Sequence, residues 1–268
     1  MRRAPARLLI VAGSDSGGGA GIQADIKTAM ALGVYAATAI TAVTVQDTLR
    51  VHAIHPVPAC IVRDQIACVL DDIGADAIKI GMLGSVETVE AVADVLQDSA
   101  RGIPLVLDPV LVSTSGTPLL EERAISVLKE RLFPLATLLT PNIPEAATLA
   151  ELRVRNADEM RSAGEKLRAL GPSAVLVKGG HGEGETVIDI LLWKNGIETF
   201  ESPRIHTAHT HGTGCTLATA IACGIANVLP LLSAVRRGRE FVQRAIESSP
   251  GFGHGHGPLN HLQEIVRR

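Results

Sequence analysis

Short apolar runs at residues 8–12, 37–45, 77–80, 105–107, 137–139 and 174–177 alternate with helix-length amphipathic stretches at 22–32, 59–72, 85–97, 121–131, 143–151 and 157–170. Nothing else in the chain restricts its fold as much. A repeated strand, helix, strand order implies parallel pairing through right-handed crossovers. Residue types agree: apolar residues make up 46% and aromatic ones only 2%, so the core must be Val, Leu, Ile and Ala, which suits parallel strands covered on both faces. Beyond residue 177 the pattern changes. Stretches 186–193 and 197–200 flank Asn195-Gly196, a hairpin signature, so antiparallel edge strands are expected there. Helices are expected at 215–228 and 231–247, followed by a glycine- and histidine-containing tail and a short helix at 260–267. With no internal repeat or low-complexity linker, residues 1–268 read as a single α/β domain that binds ligands at the carboxyl ends of its parallel strands.

The formal net charge of -3, without long charged blocks, and the scarcity of aromatic residues argue against a nucleic-acid partner. Cys60, Cys68, Cys215 and Cys223 form no Cys-x-x-Cys pair, so neither a zinc knuckle nor a redox motif is expected. The apolar run after Met1-Arg2-Arg3 is too short for a signal peptide or a membrane helix, and a cytoplasmic protein is expected.

Residues 209–216 read His-Thr-His-Gly-Thr-Gly-Cys-Thr and open the apolar run 217–229. A glycine turn feeding amides into a helix start is an anion hole, here with the Cys215 thiol set in it. The alternative is that Gly212 and Gly214 shape a tight loop and Cys215 is a small buried residue. Residues 13–25 form a second glycine-rich loop between a strand and a helix. Its Gly19-x-Gly21-x-x-Ala24, with Asp47 downstream, loosely matches the dinucleotide fingerprint of a dehydrogenase, although no hydride-transfer pairing accompanies it. The same loop could instead form a bare rim over a small substrate. Asp108-Pro109-Val110 and Thr140-Pro141-Asn142-x-x-Glu145 each end an apolar strand, and their carboxylates would emerge on one sheet edge, where Mg²⁺ carrying nucleotide phosphates could be held. They could equally cap a turn and a helix. Lys178 ends another strand as a candidate phosphate contact or an ordinary solvated lysine. His209, His211, His254, His256 and His261 suggest a tail folding over the site more than a metal centre.

In their order these motifs resemble the ribokinase-like superfamily of small-molecule kinases, and most closely the hydroxymethylpyrimidine/phosphomethylpyrimidine kinases of thiamine biosynthesis. The residues carrying the resemblance are Ala12–Asp25, Lys79-Ile-Gly-Met-Leu83, Asp108-Pro-Val110, Thr140-Pro-Asn142 with Glu145, Val177-Lys-Gly-Gly-His181, His211-Gly-Thr-Gly-Cys215 and Gly257-Pro-Leu-Asn-His261. It implies a ribokinase-like three-layer α/β/α fold, ATP and Mg²⁺ as cofactors, and a homodimer acting on a small-molecule substrate. It further implies that Gln46 pairs with the pyrimidine's ring nitrogen and amino group, with Gly13, Asp25 and Met82 lining the same pocket. Cys215, with Gly212, Thr213 and Gly214, would form the catalytic turn. Asp108 and Glu145 would serve the metal and nucleotide, Asn142 and Lys178 the nucleotide. One departure is Asp47, where the family commonly has asparagine. A thiol at a helix N-terminus is expected to have a lowered pKa and so to act as a general base toward the hydroxymethyl group. The alternatives are a vitamin B6 kinase, whose substrate carries a similar arm, and a non-catalytic pyrimidine sensor.

Overall fold

The computed structural model describes residues 4–182 and 184–264. Its strands form one nine-stranded sheet in the order β3-β2-β1-β4-β5-β6-β7-β8-β9. The five parallel pairings join β1 (Arg7–Asp15), β2 (Tyr35–Gln46), β4 (Ala77–Ile80), β5 (Leu105–Leu107), β6 (Leu138–Leu139) and β7 (Ala174–Val177). Antiparallel strands close both edges: β3 (Val51–Pro56) beside β2, and β8 (Thr186–Trp193) with β9 (Gly196–Pro203) beyond β7.

Alternation along the strands explains the three layers. Leu8, Ile10 and Ala12 of β1 meet α1 (Gly21–Ala31), α7 (Thr213–Ala226) and α8 (Leu231–Glu247), whereas Leu9 and Val11 meet the opposite layer, α2 (Ala59–Asp72) through α6 (Ala157–Arg168). That layer also holds α3 (Val86–Ser99), α4 (Ala124–Arg131) and α5 (Ile143–Ala150). Covering both faces makes continuous apolar strands favourable, since each fully buried Leu or Ile contributes about 1.5–3 kcal/mol over its exposed state. Because β2 and β4 flank β1 on opposite sides, the chain reverses direction across the sheet there, and a crevice opens over the carboxyl ends.

Differences from the sequence reading lie at the edges. Strand β3 was not expected; its residues are almost all exposed and lack the alternation that marks a half-buried strand. Strand β1 runs on to Asp15 through a register shift between Ala12 and Ser14. Helix α4 begins at Ala124 rather than 121, and α7 begins at Thr213, two residues before the expected start. The closing helix is a single 3-10 turn, His261–Glu264, and residues 265–267 of the expected helix lie outside the described residues.

Candidate active site

A cavity of about 960 Å³ lies over the carboxyl ends of the parallel strands. The α7 helix starts on its wall. Gly212 caps that helix with φ 83°, a left-handed conformation that favours glycine, and a Cβ there would collide with the Gly19 carbonyl. The Thr213 amide donates to the Thr210 carbonyl, 3.2 Å away. Among the described residues no protein acceptor meets the Gly214 and Cys215 amides, and no acidic side chain occupies the first turn, so the positive end of the helix dipole faces the cavity.

Opposite this turn stand the strand-end charges. Lys178 Nζ is 2.7 Å from Asp108 Oδ1, which also accepts from Thr140 Oγ1 at 2.9 Å. A Cβ on Gly214 would lie 3.1 Å from Lys178 Nζ and 3.7 Å from Asp108 Oδ2, so glycine is what lets the turn approach them. Burial alone would raise the Asp108 pKa, but Lys178 and Lys79 outweigh it and hold the carboxyl below its ordinary value. Glu145 is pushed up to about 7, chiefly by burial, with the Asp108 charge adding and Lys178 opposing. Capping is real as well: Asn142 Oδ1 accepts from the Glu145 amide, and Glu145 Oε2 accepts from the Asn142 amide, making a capping box for α5. Glu145 therefore serves the helix and still lines the cavity. Among the described residues no cluster of three His, Cys, Asp or Glu forms a protein-only metal cage. Two hard carboxylates on one edge nevertheless fit Mg²⁺, which keeps several waters and takes its other ligands from phosphates.

Cys215 corrects the sequence reading. Burial pushes its thiol up to about 11, with Asp25 and Asp108 adding; the Lys79 charge and a hydrogen bond from the Gly21 backbone only partly oppose this. No standing thiolate is available near neutral pH. Asp25 also sits elsewhere than expected. It is fully buried beneath the cavity wall, where it pairs with Lys79 Nζ at 2.8 Å and accepts from Thr219 Oγ1 at 2.6 Å. It therefore supports α7 and Lys79 from below and is not part of the cavity lining. Burial alone would lower the Lys79 pKa, yet Asp25, and at longer range Cys215 and Asp108, raise it and keep the lysine charged.

Gln46, Gly13 and Met82 all line the cavity, and a Cβ on Gly13 would lie 2.9 Å from Met82 Sδ. The Gln46 carboxamide has a neighbour at both ends, with Nε2 placed 3.2 Å from His211 Nε2 and Oε1 placed 3.3 Å from Thr44 Oγ1. His211 Nε2 is also 2.9 Å from Asp15 Oδ2, and Asp15 further accepts from the Gly17, Gly19 and Ala20 amides. Sequence reasoning missed this Asp15–His211 pair, whose members are 196 positions apart and carry no joint signal. It included Lys79 within a motif but gave it no role, although a lone lysine within an apolar strand marks a charge that must find a buried partner. The tail closes one side of the site: His254 and Gly255 amides donate to Thr48 Oγ1, and the His256 amide donates to the Thr48 carbonyl at 2.8 Å.

Comparison with known proteins agrees with this geometry. The model of the phosphomethylpyrimidine kinase family matches residues 15–260. The hydroxymethylpyrimidine/phosphomethylpyrimidine kinase of Haemophilus influenzae is 45% identical over 259 residues, covering 95% of this chain and 96% of that protein. The thiamine biosynthesis bifunctional protein ThiED of Geobacter sulfurreducens is 48% identical over 97% of this chain, which spans only 54% of that longer relative. Among solved structures, Clostridium difficile phosphomethylpyrimidine kinase aligns with a TM-score of 0.80 at 40% identity, covering 90% of this chain and 99% of that one. The ADP complex of Bacillus subtilis pyridoxal kinase aligns with a TM-score of 0.90 at 34% identity, covering 98% of this chain and 100% of that one. A ribokinase-like sheet, an amide-lined helix start facing a lysine–aspartate pair, and a family match over most of the length lead to one conclusion: the chain belongs to the phosphomethylpyrimidine kinase family.

Proposed function

We propose that the protein is an ATP-dependent kinase of thiamine biosynthesis that phosphorylates 4-amino-5-hydroxymethyl-2-methylpyrimidine and then its monophosphate. One observation carries the reading: Gly214, Cys215, the Lys178–Asp108 pair and Gln46 line a single cavity, and a Cβ on Gly214 would lie only 3.1 Å from Lys178 Nζ. Relatives that are hydroxymethylpyrimidine/phosphomethylpyrimidine and phosphomethylpyrimidine kinases support the same substrates.

In this reading Gln46, Gly13 and Met82 hold the pyrimidine, and its arm points to the α7 turn. The Thr213–Cys215 segment and Lys178 hold the phosphoryl group in transit, while Asn142 and Lys178 lie toward the nucleotide. Asp108 and Glu145 would hold Mg²⁺, which supplies charge neutralisation on the phosphates. Phosphoryl transfer depends mainly on alignment and charge, through a loose transition state in which the hydroxyl proton is not yet transferred; that proton passes to an oxygen of the transferred phosphoryl group as the new P–O bond forms and the bond to ADP breaks, and then to solvent. A protonated Cys215 is compatible with that chemistry, packing beside the acceptor while its amide serves the anion hole. The second acceptor, an ionised phosphate, needs no base, so one site serves both steps.

The proposed setting is the cytoplasm and the proposed assembly a homodimer, for which exposed Val43 and Val45, on one face of the β2–β3 ribbon, offer an apolar surface. Among the described residues no helix is long and apolar enough to cross a membrane. A second reading, a vitamin B6 kinase, draws on the likeness to pyridoxal kinase. ADP release measured with the pyrimidine alcohol, its monophosphate and pyridoxal side by side separates the two. Turnover of pyridoxal above that of both pyrimidines would overturn the first.

A further inference from the structure

The environment of Gln46 determines which way round its carboxamide sits. Asp15 lies near the site in a nest of backbone amides; burial would raise its pKa, but the bonds from His211, Ala20 and Gly17 outweigh that and keep it ionised. An ionised Asp15 Oδ2 only 2.9 Å from His211 Nε2 requires that nitrogen to carry a proton. The end of Gln46 that lies 3.2 Å from the same nitrogen faces that single N–H, so only an acceptor, sharing the proton with Asp15, fits there. Thr44 gives the same answer independently. Its single hydroxyl proton goes to the Ser14 carbonyl at 2.9 Å, so its oxygen can only accept from the Gln46 end 3.3 Å away. As placed, with Nε2 at His211 and Oε1 at Thr44, the carboxamide sets donor against donor and acceptor against acceptor, and a half-turn that puts its oxygen at His211 and its nitrogen at Thr44 satisfies both. The imidazole has little room to turn, because a Cβ on Gly19 would lie 2.5 Å from His211 Cδ2 and the His211 amide donates to the Gly257 carbonyl.

We propose that Asp15 and His211 are positioning residues that lock the Gln46 carboxamide in this orientation and so set which way the pyrimidine faces. The inference rests on the function proposed above. A locked amide leaves one oxygen lone pair and one N–H free on its outer edge. The oxygen takes the substrate's amino group on the His211 side, and the N–H meets the ring nitrogen on the Thr44 side. The hydroxymethyl arm is on the carbon next to the amino-bearing carbon, so it lies beyond the amino group, toward Gly212–Cys215, which follow His211 in the chain. A reversed amide would turn the ring over and aim its methyl group at that turn.

The test uses the 4-oxo analogue, 5-hydroxymethyl-2-methylpyrimidin-4-one, whose edge carries a donor where the substrate carries an acceptor and the reverse. Wild-type kcat/KM is expected to favour the amino compound by about 10²-fold or more, since the oxo compound leaves polar groups unpaired. His211→Leu frees the amide to rotate, and the ratio should fall below about tenfold. His211→Gln, which restores a donor near the position of Nε2, should recover most of the discrimination. Thr44→Val releases the other end of the amide and reads the same ratio should His211→Leu fail to fold. An unchanged ratio in folded His211→Leu or Thr44→Val overturns the inference and leaves the function standing. Wild-type enzyme inactive on the amino compound overturns the function and this inference with it.

Discussion

Cys215 shows how one side chain's surroundings can reverse the expectation drawn from its position. A helix N-terminus favours a thiolate, but enclosure and two nearby carboxylates weigh more, and the thiol rises to about 11. Loss of a standing general base typically costs about 10²–10⁴-fold in rate. Cys215→Ser is therefore expected to reduce turnover of the alcohol and of the monophosphate by similar factors, each within about tenfold. Steady-state rates on both acceptors decide this, and a large loss confined to the alcohol would restore the base role. Lys79 makes a second residue-level case. Removing one member of a fully buried ion pair strands the other at a cost of about 3–5 kcal/mol. Lys79→Met should lower the free energy of urea unfolding by about that amount, and adding Asp25→Asn should recover part of it. Equal stability of the single and double variants would mean that Asp25 and Lys79 are not coupled.

At the scale of elements, α7 carries both the anion hole and the contact that closes the chain. Gly214→Val places branched carbon against Lys178, where even a Cβ lies at 3.1 Å, and is expected to abolish both phosphorylations while the fold survives. Near-normal turnover with a native melting curve would remove the α7 turn from the mechanism. One turn further on, Thr216 Oγ1 meets His261 Nε2 at 2.9 Å. Burial, with Lys27 adding, pulls His261 down to about 4, below the roughly 6.5 of an unfolded histidine. The unfolded chain then binds the proton more readily, so this contribution to stability is complete above about pH 6.5 and is lost as pH falls toward about 4, up to about 3 kcal/mol. His261→Gln, which keeps a polar partner for Thr216 without titrating, should flatten the fall in Tm across that window. An unchanged slope would assign the acid sensitivity elsewhere. The sequence revealed α7, α8 and the parallel strands well, because buried apolar runs and helical periodicity arise from the same packing that forms them. It concealed β3, an exposed edge strand held by pairing with β2 and not by a buried face.

For the whole molecule, the topology explains why so much of the site was legible. Parallel strands ending on one edge bring Asp108, Glu145 and Lys178 together whatever the intervening sequence, so strand-end motifs sufficed to gather them. Contacts from distant loops were less legible: a tail over the site was expected, but its partner Thr48, like the pairing of Asp15 with His211, depends on the finished fold. Asp25 was misplaced for the same reason, since its motif position is on the first helix but its side chain points into the core. If the β2–β3 ribbon is an interface, light scattering should give twice the 28.1 kDa chain mass, and Val45→Asp should return it to one chain. A monomeric wild type would reject that assembly. The most direct measurement is a time course by mass spectrometry of purified protein with ATP, Mg²⁺ and 4-amino-5-hydroxymethyl-2-methylpyrimidine. The expected result is monophosphate that rises and is then consumed as diphosphate accumulates; no phosphorylated pyrimidine at any time would contradict the kinase reading.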